Sequence, residues 1–236
     1  MSRLKAFAAG RRTKQAVMTV VFFIVLFGGW FVPLLGYFIP ACMVLGIGIA
    51  LFKGRKWCDW YCPRGSFLDS LVKKISPGRE IPAVLRGRPV RISILVFLMT
   101  FLTFQIVQRW PDVFSIGKFF VILLTVTTAA GVILAMLFHQ RTWCYLCPIG
   151  TMQNWVGAQK YPLFIDSGAC TECSLCSRIC PVQLKPVDFK GDGTQVVRNG
   201  DCLKCGTCVA ACPKEALNFA EGDLSDQVGA KDRAAA

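Results

Sequence analysis

Twelve of the chain's thirteen cysteines fall into repeated patterns, against a single histidine. Cys170, Cys173 and Cys176 are followed by Cys180-Pro181, and the same C-x2-C-x2-C-x3-C-P order returns at Cys202, Cys205, Cys208 and Cys212-Pro213. Three thiolates at that spacing wrap three corners of a [4Fe–4S] cubane, and the fourth of each run reaches across to the other cluster. The spacing therefore predicts cluster one on Cys170, Cys173, Cys176 and Cys212, and cluster two on Cys202, Cys205, Cys208 and Cys180. Zinc sites pair two-cysteine knuckles instead, and disulfides are out of place in a reducing compartment. One His cannot supply a bis-histidine haem, and no C-x-x-C-H for attached haem occurs.

Four more cysteines form a second repeat. The chain reads Trp57-Cys58-Asp-Trp-Tyr-Cys62-Pro63-Arg64-Gly65-Ser66, and later Trp143-Cys144-Tyr-Leu-Cys147-Pro148-Ile149-Gly150-Thr151. Both fit W-C-x2–3-C-P-x-G-[S/T], and each follows the second apolar stretch of a pair. Four soft thiolates in matching positions predict a third cluster on Cys58, Cys62, Cys144 and Cys147. Two dithiol redox couples and a zinc staple are the alternatives. Around these motifs no side chain is clearly catalytic. His139 and Arg141 are candidates for bonding a quinone or carrying a proton, and Arg141, Lys56 and Arg64 could offset the charge of a thiolate-bound cluster. Asp112 is a weaker quinone candidate at the far end of the helices. Trp57, Trp60, Tyr61, Trp143 and Tyr145 read as interfacial aromatics, and Cys42 as a packing residue.

The elements that position these groups follow from composition. The 236 residues are 54% hydrophobic and only 17% charged, too apolar for an ordinary soluble domain. The net charge of +13 would fit nucleic acid until it is located. Residues 1–159 hold 18 Lys/Arg and 4 Asp/Glu, whereas residues 160–236 hold 9 and 10. The positive charge thus belongs to the apolar half, which speaks for a membrane and against a nucleic-acid partner.

Ala16 to Phe52 is an unbroken uncharged run, long enough for two spans at about 20 residues each. Glycines and prolines from Gly28 to Pro40 supply the turn, placing helices near 15–34 and 38–56. Ile92–Val107 and Phe119–Phe138 predict a second pair. The fold expected is an α-helical membrane protein of four spans in two pseudo-repeated hairpins (residues 1–160), followed by an α+β bacterial two-cluster ferredoxin domain (161–222). The remaining tail, 223–236, is expected to be disordered. Basic residues crowd the N-terminal segment and the 53–91 loop, so the positive-inside rule puts both termini and the ferredoxin domain on the cytoplasmic side of the inner membrane. The loop's charge is expected to rest on anionic headgroups. Between the ferredoxin runs, Lys185–Asn199 reads as a polar excursion.

Four helices, paired Cys-Pro motifs at one membrane surface and a two-cluster ferredoxin resemble the membrane iron–sulfur proteins of the NapH type, with related cores in NosR-like and CcoG-like proteins. The second motif departs from the family's usual C-x3-C-P by one residue. The resemblance implies a membrane electron-transfer subunit that exchanges electrons with the quinone pool and works with partner redox subunits. The alternative from another class is an accessory protein or redox sensor that reduces a metal or thiol while another metalloenzyme matures.

Overall fold

The computed structural model describes residues 2–220; the expected disordered tail lies outside the described residues. Among the described residues, four helical segments are long and apolar enough to cross a membrane: Leu4–Phe31 within α1 (Ser2–Phe31), Pro33–Lys53, which ends in α2 (Phe38–Lys53), α6 (Arg88–Arg109) and α7 (Val113–Leu137). Between α2 and α6 lie the short helices α3 (Lys56–Trp60), α4 (Pro63–Ser70) and α5 (Ala83–Arg86). After α7 come α8 (Trp143–Leu146) and α9 (Pro148–Gly157), and the C-terminal domain adds α10 (Leu175–Arg178) and α11 (Thr207–Ala211).

The turns at the far end are tight. A 3-10 turn over Pro33–Tyr37 packs on the start of α7, where a Cβ on Gly36 would run into the Gly117 carbonyl and one on Gly117 into the Pro33 carbonyl. Backbone meets backbone only because both residues are glycine. Val20, Ile24, Phe27, Val44, Phe97, Phe104 and Val126 stay more than half exposed along the four helices, which leaves apolar flanks for lipid. The first helix starts well before the expected residue 15. Its N-terminal turns carry Lys and Arg, which are good helix formers, and they gain a partner surface in α4 and in α11.

The C-terminal domain is built on a three-stranded antiparallel sheet of order β2-β1-β3, with β1 at Leu163–Asp166, β2 at Thr194–Val196 and β3 at Leu217–Phe219. Ile165 pairs with Gln195 on one side and Leu217 on the other. Leu163 and Ile165 alternate into the core at 1% exposure. The stretch read as a polar excursion is therefore partly a strand: Gln195 and Val196 gain ladder bonds from β1 that local composition does not announce.

The two halves share a core. Cys58, Ile81 and Tyr145 from the helical half pack in one cluster with Leu163, Val182, Leu203, Cys202 and Cys205 from the sheet domain. Tyr145 is thus no interfacial aromatic: it is 2% exposed, and its hydroxyl donates to the Val182 carbonyl at 2.6 Å. Trp143 is likewise buried. Gln183 ties the same seam, accepting from Ile81 N at 3.0 Å and donating to the Arg79 carbonyl at 2.9 Å.

Candidate metal centres

The ferredoxin runs fold onto two small cavities. One is lined by Cys170, Cys173, Cys176 and Cys212, the other by Cys180, Cys202, Cys205 and Cys208. Each cavity thus draws three thiols from one run and the fourth from the other. The backbone explains how. Positive φ occurs at Glu172, Ser174 and Gln183 in the first run, and at the matching positions Lys204, Gly206 and Glu215 in the second. These left-handed steps flank the middle cysteine of each run and follow its last one, curling the chain around each cavity. Leu184 N donates to Cys180 Sγ at 3.3 Å, as suits a sulfur that becomes anionic. The two cavities differ in setting: Cys202 and Cys205 are buried against the helical half, whereas Cys173 is exposed.

The two Cys-Pro motifs meet at a third cavity of about 120 Å³, lined by Cys58, Cys62, Cys144 and Cys147 together with Trp57, Trp143, Phe22 and Leu124. A single water needs only about 10–15 Å³ of such space. Cys42 lines it as well, so the residue read as mere packing faces the same space. No three His, Cys, Asp or Glu side chains among the described residues converge as for one metal ion. The four thiols line one volume, and soft thiolate donors of this kind suit an iron–sulfur cluster.

The motif's other letters have local reasons. Cys62 and Cys147 are the N-caps of α4 and α9, with Pro63 and Pro148 in the first turn, where the missing N–H costs nothing. Cys62 Sγ accepts the cap bond from Gly65 N at 3.4 Å. Arg141 Nη1 donates to the Cys58 carbonyl at 2.9 Å, and Arg55 Nη2 donates to the Cys144 carbonyl at 3.0 Å. A Cβ on Gly65 would lie 2.8 Å from the Cys58 carbonyl oxygen and 3.0 Å from Arg141, and one on Gly150 would lie 2.8 Å from the Cys144 carbonyl oxygen and 3.0 Å from Arg55.

Electrostatics are set by buried arginines. Arg141 is 0% exposed, holding Asp69 through Nε (2.9 Å) and Nη2 (2.6 Å), and Asp59 at 3.2 Å. Burial works against its charge, but Asp69, Cys144 and Asp59 outweigh that and raise its pKa. Arg11 joins both aspartates, at 2.6 Å and 3.0 Å. Arg55 and Arg91 grip Asp201, which also accepts from Asn154 at 2.6 Å. The loop's arginines are therefore not all laid on headgroups: Arg55 and Arg91 are buried and paired, because Asp201 of the ferredoxin domain meets both there. Arg64 also lines the third cavity; burial lowers its pKa, and its opposing charged neighbours are Cys147, Cys62 and Cys144. Burial pushes the Cys58 thiol up to about 12 and Cys62 up to about 11, with Arg55 and the Gly65 amide respectively pulling back. Metal coordination removes such protons outright.

Two sequence candidates make local structural contacts. His139 is 8% exposed, and its Nδ1 accepts from Arg141 N at 3.2 Å; burial lowers its pKa to about 4. Asp112 caps α7, accepting from Phe114 N at 3.1 Å and Ser115 N at 3.3 Å. Sequence reasoning passed over Asp59, Asp69, Asp201, Asn154 and Gln153. The first three had a usable signal, being among the few acidic residues in or beside the cysteine motifs.

Known proteins show likeness over the same segments. A 4Fe-4S binding domain model matches residues 35–82 and 121–163, and a 4Fe-4S dicluster domain model matches residues 162–228. The chain is 27% identical over 161 residues to an uncharacterized protein of Methanocaldococcus jannaschii, covering 66% of this chain and 62% of that one. It is 28% identical over 149 residues to the methylamine utilization ferredoxin-type protein MauN of Methylobacillus flagellatus, covering 56% and 50%. With MauN of Paracoccus denitrificans it shares 27% over 193 residues, covering 74% and 65%. The chain thus spans from half to just under two thirds of the length of these relatives. No solved structure matches. The fold, the cysteine cavities and the two domain models together mark an iron–sulfur protein. It holds two [4Fe–4S] clusters and has four helices suited to a membrane.

Proposed function

We propose that the chain is the membrane electron-transfer subunit of a quinol/quinone oxidoreductase system, resembling the NapH type, with a third cluster on Cys58, Cys62, Cys144 and Cys147. The observation that carries this reading is the third cavity: four thiols from two motifs surround it, and apolar side chains of the bilayer-spanning helices complete its wall. Reciprocal bonds from Arg55 and Arg141 support reading the membrane half as two copies of one hairpin unit, as does the match of one 4Fe-4S binding model to both segments.

Bound clusters supply one-electron steps that split two-electron quinol chemistry. The chain's own residues arrange the route. Cys58 of the third cavity shares a core with Cys202 and Cys205 of the second, and Arg55 bridges the Cys144 carbonyl to Asp201, next to Cys202. The first cavity, with exposed Cys173, is the outlet toward a partner subunit. Arg55, Arg64 and Arg141 offset the negative charge of a thiolate-bound cluster in a buried setting. Phe22, Phe38, Ile39 and Leu124 keep water from that cavity and give an apolar carrier in the bilayer a compatible surface. The basic N-terminal segment and 53–91 loop support a cytoplasmic face for the ferredoxin domain.

The test is iron and acid-labile sulfide in anaerobically purified protein, followed by mixing with a quinol analogue and with a quinone. About twelve irons per chain, and cluster reduction or re-oxidation within turnover time, support the reading. About eight irons would remove the third cluster, and no response to either carrier would remove the quinone.

A further inference from the structure

Gln153 of α9 is 0% exposed, and its Oε1 lies 2.9 Å from Cys58 Sγ. Its Nε2 is buried and has no hydrogen-bond partner among the described residues. Native interiors seldom leave a buried donor unpaired. The bond to Oε1 also needs a proton on Cys58, since a carbonyl oxygen only accepts. A cysteine that ligates metal has lost that proton, and its sulfur would then face the lone pairs of the amide.

One rotation resolves both faults. Amide O and N are nearly isosteric, and their assignment follows from the hydrogen-bond network. Turning the amide by half a turn sets Nε2–H against Cys58 Sγ and moves Oε1 to the space beside Gly46. That space exists because Gly46 has no side chain: a Cβ there would lie 2.6 Å from Nε2 and 3.3 Å from Trp57 Nε1. The Trp57 indole edge borders the same space, with Cδ1 at 3.1 Å from that Cβ position. Two other sulfurs of the tetrad already accept N–H bonds, Cys62 from Gly65 N at 3.4 Å and Cys144 from Arg141 Nη1 at 3.7 Å.

We infer that Gln153 is a positioning residue for the third cluster, donating Nε2–H to the Cys58 sulfur and raising that cluster's reduction potential. Hydrogen bonds to ligand sulfur draw charge off it and favour the reduced, more negative state. The inference rests on the third-cluster reading above. Its test is a redox titration followed by electron paramagnetic resonance on the full-length protein and on Gln153→Met, which keeps length and apolar bulk but removes the donor. The expected result is a downward shift of the third cluster's potential with the two ferredoxin clusters unmoved. An unmoved third potential overturns it. Pulsed measurements on the unsubstituted protein, with ¹⁵N in the glutamine side-chain amides, guard against a variant that fails to assemble. A nitrogen coupling to the reduced third cluster is expected, and its absence overturns the inference. About eight irons in the unsubstituted protein would bring down the third-cluster reading and this inference with it. About twelve irons with no coupling would bring down the inference alone.

Discussion

Arg141 and Cys58 belong to different Cys-Pro motifs, yet Arg141 Nη1 donates to the Cys58 carbonyl at 2.9 Å. Arg55 returns the bond to the Cys144 carbonyl at 3.0 Å. Each arginine stands one helical turn ahead of the first cysteine of its own motif and reaches across to the other. The brace fixes the backbone that carries the thiols, so the cavity's shape is set by side-chain-to-backbone bonds as well as by helix packing. It also places permanently charged guanidinium groups where thiolate charge must be held.

Replacing Arg141 by Leu is expected to remove the Asp59 and Asp69 pairing except for Arg11, at a cost of about 3–5 kcal/mol for breaking a buried pair. Arg141→Lys restores charge but not the fork that spans two carboxylates and a carbonyl, and should recover only part. Thermal unfolding in detergent reads the stability. Iron should be lost selectively from the third site, with the ferredoxin resonances kept. Equal loss from all sites would contradict a local brace.

Gly65→Ala and Gly150→Ala should act alike, because each new Cβ would press on a carbonyl oxygen at 2.8 Å that cannot move without shifting a cysteine. Overpacking of this kind costs about 1–3 kcal/mol. Each variant should lower iron content at the third site by a similar amount. Gly48→Ala is the control, since nothing lies within 4 Å of that position.

Much of this was legible in the chain. The ferredoxin spacing named each tetrad that the structure gathers at one cavity, since the positions are local and periodic. The four long apolar helices followed from uncharged runs, although α1 begins earlier than hydropathy implies, because its first turns pack on α4 and α11. Less legible was anything decided by a distant partner. Nothing near Tyr145 announces that it is covered by Val182, and nothing near Arg55 announces Asp201. The glycine of C-P-x-G is visible as a letter, but its reason is a carbonyl of its own motif held by an arginine of the other: Cys58 with Arg141 for Gly65, and Cys144 with Arg55 for Gly150.

His139 gives stability a pH dependence with a definite sign. Burial lowers its pKa from 6.5 to about 4, so the unfolded chain binds the proton more readily than the folded one. Its contribution is complete above pH 6.5 and declines as pH falls from there toward about 4. Unfolding temperatures measured across that window should fall more steeply for the parent than for His139→Gln. Parallel curves would mean that the histidine is solvated in the folded state.

Asp112→Ala separates a cap from a redox role. It removes the acceptor of two N–H groups at the start of α7 and should cost about 0.5–2 kcal/mol. Quinol-dependent cluster reduction should be unchanged, whereas a marked fall in its rate with normal iron content would return Asp112 to the carrier site.

Asp201 joins the two halves by charge. It receives Arg55 at 2.9 Å, Arg91 at 2.7 Å on each oxygen, and Asn154 at 2.6 Å. Burial disfavours its ionised form, but Arg91 and Arg55 more than offset this and hold its carboxyl below the usual carboxylate value. Asp201→Asn keeps the shape and removes the charge, leaving two buried guanidinium groups without their counter-ion. The ferredoxin domain has its own sheet and its own two cysteine cavities, so both of its clusters should remain. What should weaken is the seam: protease should cut the 158–162 link sooner, and electrons delivered at the membrane should reach the ferredoxin clusters more slowly. Because Arg55 also braces the third cavity, the Arg55→Lys variant is the comparison. Slower transfer in both, with about twelve irons retained, places the effect on the path between clusters rather than on cluster assembly.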